Sequence, residues 1–181
     1  MLLAIDRSIQ PASYSIFDDD GREQSCVTGC GMPSRLPAGV TRIAVAVGPG
    51  SFSGIRSALA FAQGFALPVG AQVIGIPTPA AIWRAYTTEH PEVKEGVVIG
   101  DARRGKLWVW KTGSVGILPA LIDTCRRDAC APGVIITPDH KRLSALFPDA
   151  IPAPPISRAV GELALEGVCL PPLPIYLSEA V

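Results

Sequence analysis

The feature that most constrains this chain is an apolar run that leads through a glycine-rich turn into an almost uncharged helix. Ala44–Val47 precedes Gly48-Pro49-Gly50-Ser51-Phe52-Ser53-Gly54, and the helix is predicted over about residues 53–67. Its only charged residue is Arg56, and Gln63 is its only other strongly polar residue. A helix that covers one face of a sheet normally has a polar face, and this helix has none. A second layer of the same chain or another subunit must therefore cover it.

Small residues form a ridge along that helix. Gly54, Ala58, Ala62 and Ala66 recur at i, i+4 spacing, which would let a second helix approach closely. Only 18% of the residues are charged, which suits either a tightly packed α/β protein or a surface covered by a partner. Because the chain is short, cover of the helix by another subunit is favoured over cover by a second layer of the same chain. The predicted partner interface consists of Gly50, Ser51, Phe52, Ser53, Gly54, Ile55, Arg56, Ala58, Leu59, Ala62, Phe65 and Ala66.

The glycine-rich turn does not match three familiar motifs that carry chemistry. A Walker loop needs G-x-x-x-x-G-K-[ST], a dinucleotide fingerprint needs G-x-G-x-x-G, and a nucleophile elbow needs serine at the centre of G-x-S-x-G. Here the three glycines give G-x-G-x-x-x-G, and Phe52 lies between Gly50 and Gly54. The turn is interpreted as a rigid connection with Ser51 or Ser53 as the helix cap. Anion binding by the N–H groups of the helix N-terminus stays open.

Composition and charge argue against several functional classes. The 16 basic and 16 acidic residues cancel, so no overall field attracts the chain to nucleic acid. The absence of a long apolar run and of a targeting segment predicts a cytoplasmic protein with no membrane contact. The five cysteines form no C-x-x-C pair, and His90 and His140 are distant in sequence. Neither a metal site nor a disulfide framework is predicted.

The order of predicted elements indicates two small α/β units. The predicted domains are residues 1–95 and 96–181, and each begins with an apolar strand that ends in an aspartate, Asp6 or Asp101. Pro68 and Gly70 are expected to end the first helix. Further helices are predicted from Thr78 and over residues 119–127, 139–146 and 157–166, the last with Ser157 as its cap.

Five segments of the chain resemble the TsaB (YeaZ) family. They are Ala4-Ile5-Asp6-Arg7-Ser8, Val47-Gly48-Pro49-Gly50-Ser51-Phe52-Ser53-Gly54-Ile55-Arg56, Gly75-Ile76-Pro77-Thr78, Asp101-Ala102-Arg103-Arg104-Gly105 and Pro174-Ile175-Tyr176-Leu177. They occur in the family's order across nearly the whole chain, and the second segment is the most specific. The resemblance implies an α/β, actin-like (ribonuclease H-like) two-domain fold, here with a shortened second domain.

The resemblance also implies a function. TsaB is a non-catalytic subunit in the synthesis of threonylcarbamoyladenosine (t6A) at position 37 of tRNA, where it pairs with the catalytic subunit TsaD. The ATPase TsaE joins them, TsaB alone forms homodimers through the same surface, and tRNA is reached indirectly through the complex. The pairing helices correspond here to those after Gly54 and after Thr78. The chain is accordingly predicted not to be an enzyme by itself.

The nucleotide site of actin-like enzymes is predicted to be degenerate in this chain. Asp6 is followed by Arg7 and Ser8, and Asp101 by an alanine and Arg103, so charged side chains crowd both turns. No catalytic residue, metal or cofactor is expected, with weak ATP or ADP binding only at a subunit interface. The alternative function is an actin-like enzyme, either a small-molecule kinase or ATPase or a glycoprotease-like protein. A third hypothesis is a free homodimer that acts on something other than TsaD.

Overall fold

The computed structural model describes residues 1–29, 32, 33, 35, 37–104, 106–113, 118–121 and 133–176. The elements in chain order are β1 (Leu2–Asp6), β2 (Ser13–Phe17), β3 (Glu23–Thr28), β4 (Arg42–Ala46), α1 (Phe52–Val69), β5 (Gln72–Ile76), α2 (Thr78–Glu89), β6 (Gly96–Arg103), β7 (Lys106–Lys111), β8 (Leu118–Leu121), β9 (Val134–Thr137), α3 (His140–Leu143), β10 (Ile151–Pro152) and α4 (Ser157–Leu165).

The first sheet has the strand order β3-β2-β1-β4-β5. Strands β1, β2 and β3 pair antiparallel, whereas β4 pairs parallel with both β1 and β5. The burial of each strand follows its hydrophobic pattern. Strand β1 lies at the centre and is buried along its whole length, β2 alternates between buried and half-buried residues, and the edge strand β3 alternates between half-buried and exposed ones. An uninterrupted apolar strand therefore marks the middle of a sheet covered on both faces.

Helices α1 and α4 cover opposite faces of the first sheet. Leu3 and Ile5 of β1 share a core cluster with the buried residues of α1. Leu2 faces the other way and pairs with Phe17 in the antiparallel register, so both lie on the second face. There Gly161 of α4 packs directly on the Phe17 ring.

The second sheet repeats the topology of the first. Its order is β10-β9-β6-β7-β8, with β6, β7 and β8 antiparallel and with β9 parallel to both β6 and β10. In each sheet the first strand lies at the centre, with its antiparallel neighbours on one side and its parallel neighbours on the other. The predicted pair of α/β units is confirmed, and the aspartates Asp6 and Asp101 occupy equivalent strand ends because the topology repeats.

The described chain divides into two compact units of unequal size. The larger comprises Met1–Ala81 and Pro155–Tyr176, and the smaller comprises Ile82–Pro154. The segment from Pro155 joins the first unit because α4 packs on β1 and β2. The predicted domain bounds, 1–95 and 96–181, stay a prediction.

Four details of the predicted helices are wrong. Helix α1 continues through Pro68 to Val69, since a proline in the last turn removes only one hydrogen bond, so the prediction fails for Pro68; Gly70 does end the helix, in the left-handed conformation, as predicted. Residues 118–121 form the strand β8, paired with β7, where a helix was predicted from 119; residues 122–127 lie outside the described part. Helix α3 spans only His140–Leu143. Ser157 is the first residue of α4 rather than its cap, because its hydroxyl lies 3.0 Å from the Ser15 hydroxyl.

A methyl group added at Gly161 should disrupt the packing of α4 on the sheet. Its Cβ would lie 2.1 Å from Cε2 of the buried Phe17 ring, so Gly161→Ala should lower the free energy of unfolding by about 1–3 kcal/mol. In α1 the matched change Gly64→Ala meets nothing within 4 Å and should raise stability by about 0.5–1 kcal/mol. Urea unfolding measures both. Equal stabilisation by the two substitutions would contradict the described packing.

Candidate functional site

The first turn of α1 rests on the turn that follows β1. Ser51 caps the helix by accepting a hydrogen bond from the Gly54 N–H at 3.2 Å, which selects one of the two predicted caps. The Ser51 N–H itself donates to the Ser8 carbonyl at 2.7 Å. The helix N-terminus is thereby fixed to the backbone of the neighbouring turn.

Two glycines permit this close approach. A Cβ at Gly50 would lie 2.4 Å from the Ser8 carbonyl oxygen, and one at Gly54 would lie 1.9 Å from the Arg7 carbonyl oxygen. Any side chain at either position would push α1 away from the sheet. The rigid connection predicted from the glycines is therefore confirmed. Its N–H groups at Ser51 and Gly54 already have partners within the chain, which removes donors that an anion would need.

A buried chain of hydrogen bonds links the turns that follow β1, β4 and β5. The Gly48 N–H donates to Thr78 Oγ1 at 3.0 Å, Thr78 Oγ1 donates to Ser8 Oγ at 2.9 Å, and Ser8 Oγ donates to Asp6 Oδ1 at 2.6 Å. The Ser8 N–H donates to the same carboxylate oxygen at 2.7 Å. Asp6 and Thr78 are fully buried. The chain of donors ends on one aspartate, whose other oxygen Oδ2 has no hydrogen-bond partner in the described part of the molecule.

Burial dominates the protonation of Asp6. Desolvation raises the pKa of its carboxyl from 3.8 to about 7, although the hydrogen bonds from Ser8 and the Ile9 backbone act in the opposite direction. The folded protein therefore holds this proton more tightly than the unfolded chain does. Asp6 functions here as a buried acceptor that orders three turns.

Asp101, at the equivalent strand end in the second unit, has a more exposed and more charged environment. Its Oδ1 accepts the Arg103 N–H at 2.7 Å, and its Oδ2 lies 3.4 Å from Arg103 Nη1 and 2.9 Å from Arg142 Nη1. The Asp101 N–H donates to Asp139 Oδ2 at 2.9 Å. Burial raises the pKa of the Asp139 carboxyl, and the negative charge of Asp101 adds to that effect.

Sequence reasoning missed Asp139 and Arg142. A signal was present, because Asp139 closely follows a short apolar strand, β9, just as Asp101 follows the apolar part of β6. Parallel neighbours bring their carboxyl ends to one edge of a sheet. In the described residues, no group of three or more His, Cys, Asp and Glu side chains could hold a metal ion. Of the cysteines, Cys26 and Cys169 are exposed and free, and the other three lie outside the described part.

The structure corrects the predicted docking ridge. Six of the proposed interface residues are buried in the core of their own unit: Gly54, Ile55, Ala58, Leu59, Ala62 and Ala66. The small residues among them, Gly54, Ala58, Ala62 and Ala66, let α1 pack closely on β4 and β5, so this ridge is covered by the chain's own sheet. Gly50, Phe52, Ser53 and Arg56 are exposed, whereas Ser51 and Phe65 are half-buried.

The opposite side of α1 is open and apolar. We call it the outer face, formed by Phe52, Ser53, Arg56, Ala60, Gln63, Gly64, Leu67, Pro68 and Val69. Phe52 is 58% exposed, Leu67 83% and Val69 56%, and Arg56 is the only charged member. Exposed apolar residues that lie together on one face mark an interaction site more strongly than scattered ones do. The sheet covers the inner side of α1, so the predicted need for a further cover applies to the outer face alone.

The C-terminal segment extends the outer face by one aromatic residue. Leu170 pairs with Gly75 of β5, and the Ile175 N–H donates to the Val47 carbonyl at 2.8 Å. These bonds bring the Tyr176 ring centre to 5.3 Å from that of Phe52, and the Arg56 guanidinium lies over the Phe52 ring, 5.1 Å from its centre. Aromatic residues and arginine are the types most enriched at interface hot spots.

Replacing Asp6 by asparagine should change how stability depends on pH. Because the folded pKa of Asp6 is about 7 and the unfolded pKa is 3.8, its contribution to stability is complete below pH 4 and is lost as pH rises towards 7. Asparagine does not titrate, so the Asp6→Asn variant does not have this loss. The free energy of unfolding of the variant minus that of the native chain should therefore rise by about 1.4 kcal/mol per pH unit between about pH 4 and 7. Urea unfolding at several pH values measures the difference, with the exposed Asp20→Asn as control. A difference independent of pH would contradict the description.

No helix in the described residues is long and apolar enough to cross a membrane. No curated protein matches the sequence at a significant level. Two solved structures are similar over nearly their whole length. YeaZ from Pseudomonas aeruginosa has a TM-score of 0.71 and 18% identity, covering 97% of this chain and 99% of that one. An uncharacterized protein with similarity to peptidase YEAZ, from the same organism, has a TM-score of 0.69 and 18% identity, covering 98% and 99%.

These structures confirm the predicted actin-like, two-sheet α/β fold. The family model described as TsaD, tRNA N6-adenosine threonylcarbamoyltransferase, matches residues 36–144, which is more than half of the chain. The matched segment contains the glycine-rich turn, all of α1 and the hairpin that follows Asp101. The chain belongs to the TsaD family and has the fold of YeaZ.

Proposed function

We propose that this chain is a non-catalytic subunit of the complex that makes threonylcarbamoyladenosine in tRNA, and that it binds a TsaD-like catalytic subunit. The observation that carries the proposal is the outer face of α1, an apolar and almost uncharged surface on a helix whose other side is packed in the core. Membership of the TsaD family supplies the reaction, since that family is described as transferring threonylcarbamoyl groups to tRNA. A TsaE-like ATPase joins this complex, which works in the cytoplasm.

The chemistry of the outer face suits a folded protein partner. Its exposed leucine, valine and phenylalanine would bury apolar area, while Gly64, with nothing within 4 Å of its added Cβ, would let the backbone of a partner helix approach closely. Arg56 and the neighbouring Phe52 and Tyr176 rings lie at one end of this face and would fix the orientation of the partner. In the absence of the catalytic subunit, a second copy of the chain covers the same face and gives a homodimer.

A single charge on the outer face should prevent this association. Leucine and arginine have similar helix propensities, so Leu67→Arg should leave the fold intact and weaken binding by about 2 kcal/mol or more, roughly 30-fold. The measurement is co-purification with the TsaD-like catalytic subunit of the same organism, followed by determination of the mass of the complex.

Two matched variants separate binding from folding. Leu146→Arg changes an exposed leucine of the second unit and should leave co-purification unaffected. Ala62→Arg places a charge at a fully buried position of α1 and should unfold the chain rather than only detach the partner. Native yields of complex with Leu67→Arg would exclude the outer face as the interface.

The alternative function, an actin-like enzyme, rests on the buried aspartate. Asp6 has one carboxylate oxygen without a partner among the described residues, and such an oxygen could serve a cation or a water. The turn after Asp6 has no space for a triphosphate, because the backbone of Gly50 and Gly54 packs directly against Ser8 and Arg7. We therefore treat the enzyme as the weaker candidate.

Titration with magnesium and ATP distinguishes the two functions. The isolated chain should release no phosphate and should bind ATP no more tightly than the millimolar range, about −4 kcal/mol. Isothermal calorimetry and a phosphate-release assay provide the two measurements, with Asp6→Asn as the matched variant. Micromolar binding together with turnover that Asp6→Asn abolishes would favour the enzyme and overturn the non-catalytic role.

A further inference from the structure

The second unit contains a surface that the proposed subunit role does not use. At the end of β6 the carboxylate of Asp101 holds two arginines side by side, since its Oδ2 lies 3.4 Å from Arg103 Nη1 and 2.9 Å from Arg142 Nη1. The side chain of Asp101 is only 19% exposed, whereas those of Arg103 and Arg142 are 64% and 55% exposed. One nearly covered anion thus positions two cations that remain open to solvent.

Each guanidinium keeps donors for a ligand. A guanidinium has five N–H groups in a planar fork, and the ion pairs with Asp101 engage one nitrogen of each arginine. Phosphate is the anion that such forks bind well, because two parallel N–H groups match two of its oxygens. Two guanidinium groups on one carboxylate therefore make a clamp of suitable chemistry.

The charge around the clamp is positive. Arg104 on the same hairpin and Lys141 on α3 are both exposed, and they add to Arg103 and Arg142. Asp101 and Asp139 are the carboxylates beside these cations, and Asp139 Oδ2 accepts the Asp101 N–H. Four cations against two partly covered carboxylates give a local positive field, although the chain as a whole has a net charge of 0.

The backbone presents the arginines in a fixed direction. Arg103 and Arg104 have φ angles of 68° and 53°, in the left-handed region that non-glycine residues rarely adopt. The Asp101 carboxylate stabilises this turn by accepting the Arg103 N–H at 2.7 Å. Positive φ angles are typical of tight hairpin connections, and this one keeps Arg103 beside the Asp101 carboxylate.

We propose that Arg103 and Arg142, with Arg104 and Lys141 beside them, bind the phosphate backbone of the tRNA on which the complex acts. This inference rests on the proposed function, because the tRNA is the substrate of the family to which the chain belongs. It adds a direct contact to the expectation that tRNA is reached through the complex. The contact is local and independent of base sequence, since phosphates rather than base edges are recognised.

The test measures affinity for RNA as a function of salt. A fluorescently labelled, unmodified tRNA transcript is titrated with the purified complex of this chain and its TsaD-family subunit, between about 50 and 200 mM KCl. Arg104→Gln should weaken binding a few-fold and reduce the slope of log K against log salt by about one. The double variant Arg103→Gln with Arg142→Gln should weaken binding about tenfold or more and reduce the slope by about two.

Three controls keep the result interpretable. Arg22→Gln removes an exposed arginine from a hairpin of the first unit and should change neither quantity. Arg103→Lys with Arg142→Lys preserves the charge but not the fork and should recover most of the slope while recovering less of the affinity. Circular dichroism checks folding of the double variant, and Arg104→Gln, whose side chain forms no described bond to Asp101, tests the surface if the double variant misfolds.

The outcomes separate this inference from the proposed function. Native tRNA affinity and native salt slope in both glutamine variants would overturn the phosphate clamp while leaving the partner interface intact. Loss of the TsaD-family subunit from the variants, with tRNA affinity unchanged, would show that the arginines contact protein and would also overturn it. If the native chain fails to co-purify with that subunit, the proposed function fails, and the same titration of the chain alone decides whether the arginines bind RNA.

Discussion

The contact on which the rest of the structure depends is that between the first turn of α1 and the turn after β1. The backbone at Gly50 and Gly54 lies so close to the Ser8 and Arg7 carbonyls that no side chain fits between them. A buried chain of hydrogen bonds runs from Gly48 through Thr78 and Ser8 to Asp6. Because three strand ends share this network, the position of α1 on the sheet follows from it.

Fixing α1 at its first turn gives the helix two different faces. The inner face of small residues packs on the sheet, where close approach compensates for small side-chain volume. The outer face is not needed for the core, and it exposes the larger apolar residues Phe52, Leu67 and Val69 near its two ends. This division explains why a helix with one charged residue occurs on the surface of a single unit. It also places the proposed interface at exposed residues such as Leu67 rather than at the buried Ala62.

The two units show how one topology can lead to different chemistry. Asp6 and Asp101 lie at or near the carboxyl ends of the central strands of equivalent sheets, but their surroundings differ. Asp6 is fully buried, and its carboxyl has a raised pKa because desolvation outweighs its hydrogen bonds. Asp101 is close enough to solvent to hold two guanidinium groups. The first aspartate became part of the folding core, and the second organises a charged surface.

The sequence by itself determined the two α/β units, most strand positions and the rigid character of the glycine-rich turn. These follow from local patterns: uninterrupted apolar runs, alternation, and glycines adjacent to a capping serine. It could not determine which side of α1 faces the sheet, because both sides are apolar and periodicity then carries no direction. It also could not bring Asp101, Asp139 and Arg142 together, since their proximity depends on the parallel pairing of β6 with β9. Only the tertiary structure decided these points, because each arises from contacts between residues distant in sequence.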